Sequence, residues 1–211
     1  MKIVRSSGIV KFFFPEVLCR IKVQNPQSIY LTFDDGPNPN VTPLVLDILY
    51  KSKVNATFFC LGQQVEKHQK IYNRIINEGH AVGNHTYSHA DGWKTSAGAY
   101  ANEVKKCSGI VQSNLFRPPY GRLTLRQYRL LKNQYRIVLW DVLSGDYNMN
   151  YSKERCIGNV VRNTRNGSIL LFHDNDKTAD KYPEMLVKTI EILKEKGYYF
   201  ETLKEKFNKS G

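Results

Sequence analysis

Residues 29–60 read IYLTFDDGPNPNVTPLVLDILYKSKVNATFFC, and the order of elements in this stretch decides the fold. Ile29 to Phe33 is a short run of apolar and β-forming residues closed by Asp34-Asp35-Gly36-Pro37, so it reads as a strand ending in a turn. Thr42 as N-cap, Pro43 at the first helical position, and Leu44, Val45, Ile48 and Leu49 at helical spacing predict a helix with one buried face that ends near Lys51. Ala56 to Cys60 is apolar again and reads as a second strand.

The same alternation continues outward. Runs at His80 to Gly83, Leu115 to Arg117, Tyr135 to Trp140, Ser168 to Phe172 and Tyr198 to Thr202 read as further strands, with segments of helical length between them. Gly79 closes a helix carrying Ile71, Ile75 and Ile76. A last helix from about Tyr182 places Met185, Leu186, Ile190 and Leu193 on one stripe, with Lys194 and Lys196 near its negative end before Gly197. This order favours a parallel α/β sheet over a sandwich. About seven strands suit a small, distorted (β/α) barrel, although a doubly wound open sheet shares the local pattern. Either fold places its chemistry at the carboxyl ends of the strands.

The chain has 211 residues, 41% of them hydrophobic, which fits one domain with one core. Residues 29–205 are expected to form that domain, with residues 1–28 as an N-terminal segment packed on or preceding it and residues 206–211 as a tail. The formal charge of +12 suits an anionic partner, but the basic residues are scattered and carry no nucleic-acid signature. A solvated basic face and no nucleic-acid partner are expected. Cys19, Cys60, Cys107 and Cys156 lie far apart without a CxxC pair, which points to free thiols and away from a structural zinc site.

The N-terminal stretch MKIVRSSGIVKFFFPEVLCRIKV starts basic, yet Lys11, Pro15 and Glu16 break its apolar run and it lacks an A-x-A-like cleavage site. It is a poor signal peptide, and no run approaches the ~18–20 apolar residues of a transmembrane span. A cytoplasmic chain is expected on this reading, with an amphipathic start that packs on the domain or rests on a membrane surface.

The residues just after the strands carry the chemistry. Asp34 and Asp35 would face opposite sides of a regular strand, so Gly36-Pro37 must turn the chain for both to reach one site. Two carboxylates there call for a cation, and a divalent metal on one would let the other act as a base. A turn pair capping the next helix is the alternative. His85-x-x-x-His89 places two imidazoles on one side of a tight loop, which suits zinc, and Asp35 would complete a three-ligand set with open positions. Arg117, held extended before Pro118-Pro119, is either a fixed fork for a site carboxylate or an exposed salt bridge. A backbone N–H at Tyr120-Gly121 could face an oxyanion. His173, at the end of an apolar strand, is either a core histidine or a catalytic one.

Taken in order, TFDDG, HTYSH, RPPYG, the Trp140 to Tyr147 segment and LLFH resemble the motifs of the polysaccharide deacetylases of the NodB-homology group, carbohydrate esterase family 4. The resemblance covers Ile29 to about Leu203. It implies a distorted (β/α) barrel, one divalent metal ion, zinc by preference, on Asp35, His85 and His89, and Asp34 as base with His173 as general acid. It further implies that Arg117 steadies Asp34, that the Tyr120 backbone helps bind the oxyanion and that Asp146 orients His173. One motif departs from the pattern, because Leu143 stands where the first Asp is usual and Tyr147 where a Trp is usual.

On this reading the chain hydrolyses the N-acetyl group of a glycan, releasing acetate and a free amine. Trp93 or Tyr147 would supply aromatic walls to the groove, or else be ordinary core or rim aromatics. Hydrolysis of a small non-sugar amide and a glycan-binding module without catalysis are the competing readings.

Overall fold

Strand β1 (Ser28–Asp34) is buried along its whole length, as expected of a central parallel strand covered on both faces. The structure is a computed structural model that describes residues 14–22 and 27–203. Along β1, Ile29, Leu31 and Phe33 pack into the large cluster under the helices, while Tyr30 belongs to a separate cluster. The alternation therefore turns Tyr30, Thr32 and Asp34 to the concave side of the sheet.

The other strands are β2 (Thr57–Cys60), β3 (Ala81–Asn84), β4 (Leu115–Phe116), β5 (Arg136–Ile137), β6 (Val142–Leu143), β7 (Ile169–His173) and β8 (Tyr199–Phe200). Every pairing is parallel, in the order β5-β4-β3-β2-β1-β7-β6, and β8 pairs with the start of β1. Seven strands thus form a curled half-barrel with helices on its outer face. Phe33 stacks on Phe58 at 5.0 Å and meets Phe172 at 5.9 Å, which ties the three central strands to the outer core.

The longer helices are α1 (Thr42–Ser52), α2 (Gly62–Lys67), α3 (Gln69–Asn77), α4 (Ala97–Ser108), α5 (Leu125–Leu131), α6 (Lys153–Asn163) and α7 (Glu184–Glu195). In α7 the expected stripe of Met185, Leu186, Ile190 and Leu193 is buried, and Gly79 and Gly197 follow their helices with φ of 81°, a conformation in which glycine avoids the Cβ clash. Two details of α1 correct the sequence reading. Leu44 is exposed while Leu46 is buried, because the helix turns its face by one position toward the sheet. Thr42 is the first helical residue and not the N-cap; its hydroxyl is used elsewhere, as described below.

The long strand expected at Tyr135 to Trp140 is shorter, and the chain crosses the sheet's open side here instead. Val138 N donates to Phe116 O at 2.8 Å, and Asp141 N donates to Ile169 O at 2.9 Å, so four residues link one end of the sheet to the other. Residues 14–22 cover this seam: Leu18 bridges Val138 and Arg20 bridges Ser168. The amphipathic N-terminal stretch as far as residue 13 lies outside the described residues. All four cysteines are buried, with Cys60, Cys107 and Cys156 as free thiols. No helix among the described residues is long and apolar enough to cross a membrane.

Candidate active site

The parallel register sets Asp34 beside both Phe59 of β2 and His173 of β7 at the carboxyl edge of the sheet. Both polar side chains end β-strands whose preceding residues are buried, so they project from an apolar floor into the mouth of the half-barrel. Beyond β1 the chain must reverse, and Asp35 does so with φ of 86°. Left-handed backbone is uncommon outside glycine. Six described non-glycine residues adopt it, and four of them are Asp35, Thr86, His89 and Tyr120, which gathers this local cost at one place in the fold.

These turns bring three donor atoms together. His89 Nε2 lies 3.1 Å and His85 Nε2 3.6 Å from Asp35 Oδ1, and the three residues offer ligand atoms all within 4.8 Å of one another. His85 Nδ1 donates to the Arg117 carbonyl at 2.8 Å. A carbonyl only accepts, so Nδ1 carries a proton, and Nε2 is the ring nitrogen that faces Asp35 and is left for a metal. Asn175 Nδ2 donates to Asp35 Oδ2 at 2.6 Å and leaves Oδ1 toward the imidazoles. Burial alone would raise the Asp35 pKa, but the imidazoles of His85 and His89 and the charge of His173 hold it well below the usual carboxylate range. Two imidazole nitrogens and one carboxylate oxygen, with open space on the groove side, fit a divalent cation.

Asp34 stands next to this triad. Arg117 is fully buried, lies over the Phe59 ring at 4.0 Å, and donates to Asp34 Oδ1 at 2.7 Å and to Thr32 Oγ1 at 2.8 Å. Its other nitrogens reach the carbonyls of Val138 and Leu139 at 3.4 and 3.0 Å. Arg117 is thus the fixed fork, not the exposed salt bridge. Asp34 Oδ2 is left facing His85 Nε2 at 3.8 Å. Neither Asp34 nor Asp35 caps α1, which has no side-chain cap.

On the opposite wall, Asp146 Oδ2 accepts from the His173 backbone at 2.7 Å and Oδ1 accepts from His173 Nδ1 at 2.8 Å. The imidazole is therefore fixed with Nε2 outward. Burial pulls the His173 pKa down, but the charge and hydrogen bond of Asp146, with Asp35 and Asp34 behind them, outweigh it and raise the value to about 9. Tyr147 packs edge-on against His173 at 5.1 Å. Tyr120 Oη lies 3.2 Å from His89 Nδ1, with its ring edge-on at 4.7 Å.

Of the eight residues singled out in the sequence, Asp34, Asp35, His85, His89, Tyr120 and His173 line one groove of about 740 Å³, whose apolar wall includes Trp140, Leu143 and Leu171, while Arg117 and Asp146 are buried behind it and hold Asp34 and His173. Leu143, at the departing motif position, contributes to that wall. Asp141, from the same stretch, is absent from the groove and pairs with Arg165 at 2.9 Å.

Several supporting residues had no assignment from sequence. Asp174 is buried, accepts from Gly36 N at 3.0 Å and from the Thr42 hydroxyl at 2.5 Å, and its backbone N–H donates to Asp34 O at 3.1 Å. Lys181 Nζ donates to the carbonyls of Asp146 and Asn148 at 2.6 and 2.5 Å, and Tyr182 Oη donates to Asp146 Oδ2 at 3.2 Å. Asp174 and Asn175 directly follow a site strand, a position that could have marked them. Lys181 and Tyr182 lie in a connecting segment with no such signal.

A family model described as polysaccharide deacetylase matches residues 22–137. A peptidoglycan-N-acetylglucosamine deacetylase of Bacillus cereus is 38% identical over 194 residues, spanning 88% of this chain and 70% of that protein. A second deacetylase of the same description and organism is 34% identical over 188 residues, spanning 86% of this chain and 88% of its own. Among solved structures, a peptidoglycan N-acetylglucosamine deacetylase in complex with 4-naphthalen-1-yl-N-oxidanyl-benzamide aligns with a TM-score of 0.85 at 35% identity, covering 92% of this chain and 95% of that one.

Proposed function

From the premise that this chain belongs to the polysaccharide deacetylase family, we propose that it hydrolyses the acetamide of N-acetylglucosamine units in peptidoglycan, using one divalent metal ion, zinc by its donor set. The observation that carries the reading is the pairing of two prepared groups across one groove. Asp34 is held by Arg117 on one side and His173 is held by Asp146 on the other, with Asp35, His85 and His89 beside them.

Asp35, His85 and His89 would hold the ion, which when bound supplies Lewis acidity that makes water a better nucleophile and the acetamide carbonyl a better electrophile. Asp34 Oδ2 accepts a proton from the attacking water. Its partner oxygen stays bound to Arg117, so the carboxylate keeps its orientation as its charge changes. The negative charge growing on the acetyl oxygen is met by the backbone N–H of Tyr120, on the turn that the left-handed residue creates. His173 Nε2 delivers a proton to the departing amine, which would otherwise be a poor leaving group. A pKa of about 9 keeps that proton available at neutral pH. Trp140, Leu143 and Leu171 give the acetyl methyl an apolar surface.

The test is acetate release from purified peptidoglycan and from N-acetylated chitooligosaccharides by the zinc-loaded protein, beside simple acetamides. Turnover of the glycans with a parallel loss in Asp34→Asn supports the reading. Turnover of acetamides alone would favour a small-amide hydrolase. Glycan binding without acetate release would favour a binding module.

A further inference from the structure

His173 ends a long buried strand, but the carboxylate that orients it has no such support. Asp146 lies just beyond the two-residue strand β6, on a turn that passes through Gly145 at φ of 80°, so no ladder of strand pairing fixes its side chain. Hydrogen-bond donors do so instead. Asp146 Oδ1 accepts from His173 Nδ1 at 2.8 Å and from Tyr147 N at 2.9 Å, and Oδ2 accepts from His173 N at 2.7 Å and from the Tyr182 hydroxyl at 3.2 Å. Of these donors, Tyr182 alone comes from a third segment of the chain.

That segment leaves β7 at His173 and returns to it before α7. Tyr182 Oη also lies 3.3 Å from the His173 carbonyl, which accepts from the Thr178 hydroxyl at 3.0 Å. The phenol has one proton to give and faces two acceptors, of which the charged carboxylate is the stronger. Burial and the Asp146 charge push the Tyr182 pKa well above its usual value, so the phenol keeps that proton. Lys181 holds the other end of the same aspartate. Its buried ammonium donates to the carbonyls of Asp146 and Asn148 at 2.6 and 2.5 Å, and no carboxylate among the described residues forms an ion pair with it. A lysine is rarely buried without a partner charge, because water holds an ammonium strongly. For packing alone a methionine of similar length would serve as well. The charge is kept, and it is kept on the backbone of the residue that orients His173.

We propose that Lys181 and Tyr182 are positioning residues for the reaction, clamping Asp146 by its backbone and by its carboxylate so that His173 presents its proton to the departing amine. While His173 is charged, Asp146 has a cation beside it. Once the Nε2 proton has passed to the amine nitrogen as the C–N bond breaks, that cation is gone, and an unheld carboxylate would turn or take up a proton. Lys181 supplies a positive charge, and Tyr182 a donor, that do not depend on the His173 proton. Neither touches the substrate. This role rests on the reading of His173 as the leaving-group acid.

Tyr182→Phe keeps the ring and deletes the donor, while Lys181→Met keeps the length and deletes the charge. Each zinc-loaded variant is assayed for kcat and KM on an N-acetylated chitooligosaccharide and on an aryl acetate, after melting curves show that it is folded. A displaced acid is expected to lower kcat on the N-acetyl substrate about tenfold with KM little changed, and to cost less on the aryl acetate, whose oxygen departs without a proton. A residue needed only for packing would lower both alike. Proton NMR of the same preparations needs no turnover: the His173 Nδ1 proton, hydrogen-bonded to Asp146, is expected to exchange with water about tenfold faster in the variants. Where Lys181→Met fails to fold, Tyr182→Phe decides alone. Equal factors on the two substrates, or parental exchange of the Nδ1 proton, in folded Tyr182→Phe would overturn the clamp. A parent that releases no acetate from the glycan would sink the proposed reaction, while the exchange measurement would still decide the clamp.

Discussion

The carboxyl of Asp174 fills the space that any side chain at residue 36 would need. A Cβ on Gly36 would lie 2.1 Å from Asp174 Oδ2, and Asp174 cannot swing aside because Thr42 and the Gly36 N–H both hold it. Gly36 follows Asp34 and Asp35 directly, so this contact fixes the turn that aims both carboxylates. Gly36→Ala is expected to cost about 1–3 kcal/mol of stability, the usual price of overpacking, and to weaken zinc binding as Asp35 shifts. Thermal melts and a zinc titration check it; an alanine variant with parental zinc affinity would remove Asp174 as the support of the turn.

His85→Ala and His89→Ala are each expected to lower zinc content and acetate release together, since each removes one of three proposed protein ligands. Elemental analysis of the dialysed proteins, read beside activity, decides the matter. Stoichiometric zinc with full turnover in both variants would exclude the ligand set.

The raised pKa of His173 has a definite sign for stability. Its folded value of about 9 lies above the ordinary 6.5, so protonation favours the folded state: the contribution is full below about 6.5 and is lost as pH rises through about 9. Asp146→Asn removes the carboxylate that opposes burial. The His173 ring, followed by NMR in metal-free protein, is expected to titrate at lower pH in Asp146→Asn, and the stability gap between parent and variant to narrow as pH climbs through 9. An unmoved titration would show that Asp146 does not control this proton.

Asp34 and His173 are proposed to act on different protons, and the leaving group separates the two roles. Asp34→Asn is expected to lose about 10²–10⁴-fold on both N-acetyl sugars and aryl acetates, because both need an activated water. His173→Ala should lose a similar factor on the sugar but much less on the aryl acetate, whose oxygen departs without a proton. Activity ratios on the two substrates, with zinc content checked in each preparation, provide the comparison. An identical factor on both substrates for His173→Ala would end its assignment as the leaving-group acid.

The strands were legible where apolar residues ran together, as at Ile29 to Phe33 and Ser168 to Phe172, because burial on both faces demands such runs. The two residues of β6 were not, since they lie in a short polar stretch and are strands only by their pairing with β7. The polar residues that line the groove were legible where they follow strands. Asp174 and Asn175 occupy such positions too, but an aspartate or asparagine in a turn reads first as turn chemistry, and only the packed structure shows each reaching the Asp34-Asp35 turn. Thr42 was mistaken for a cap because its local pattern is that of one; the buried Asp174 carboxyl, distant in sequence, claims its hydroxyl instead.

Asp35, Thr86, His89 and Tyr120 share a backbone shape that suits glycine better than themselves. Each such residue withholds about 1–3 kcal/mol from the fold, and at Asp35, His89 and Tyr120 the replacement that would return it also deletes a group of the groove. Heat resistance and turnover are thus set against each other at single codons. A population of variants selected for thermal survival alone, with no glycan to process, should drift toward glycine at Tyr120 before it alters the buried floor of β1, β2 and β7, and the most robust members of that population should be the poorest deacetylases.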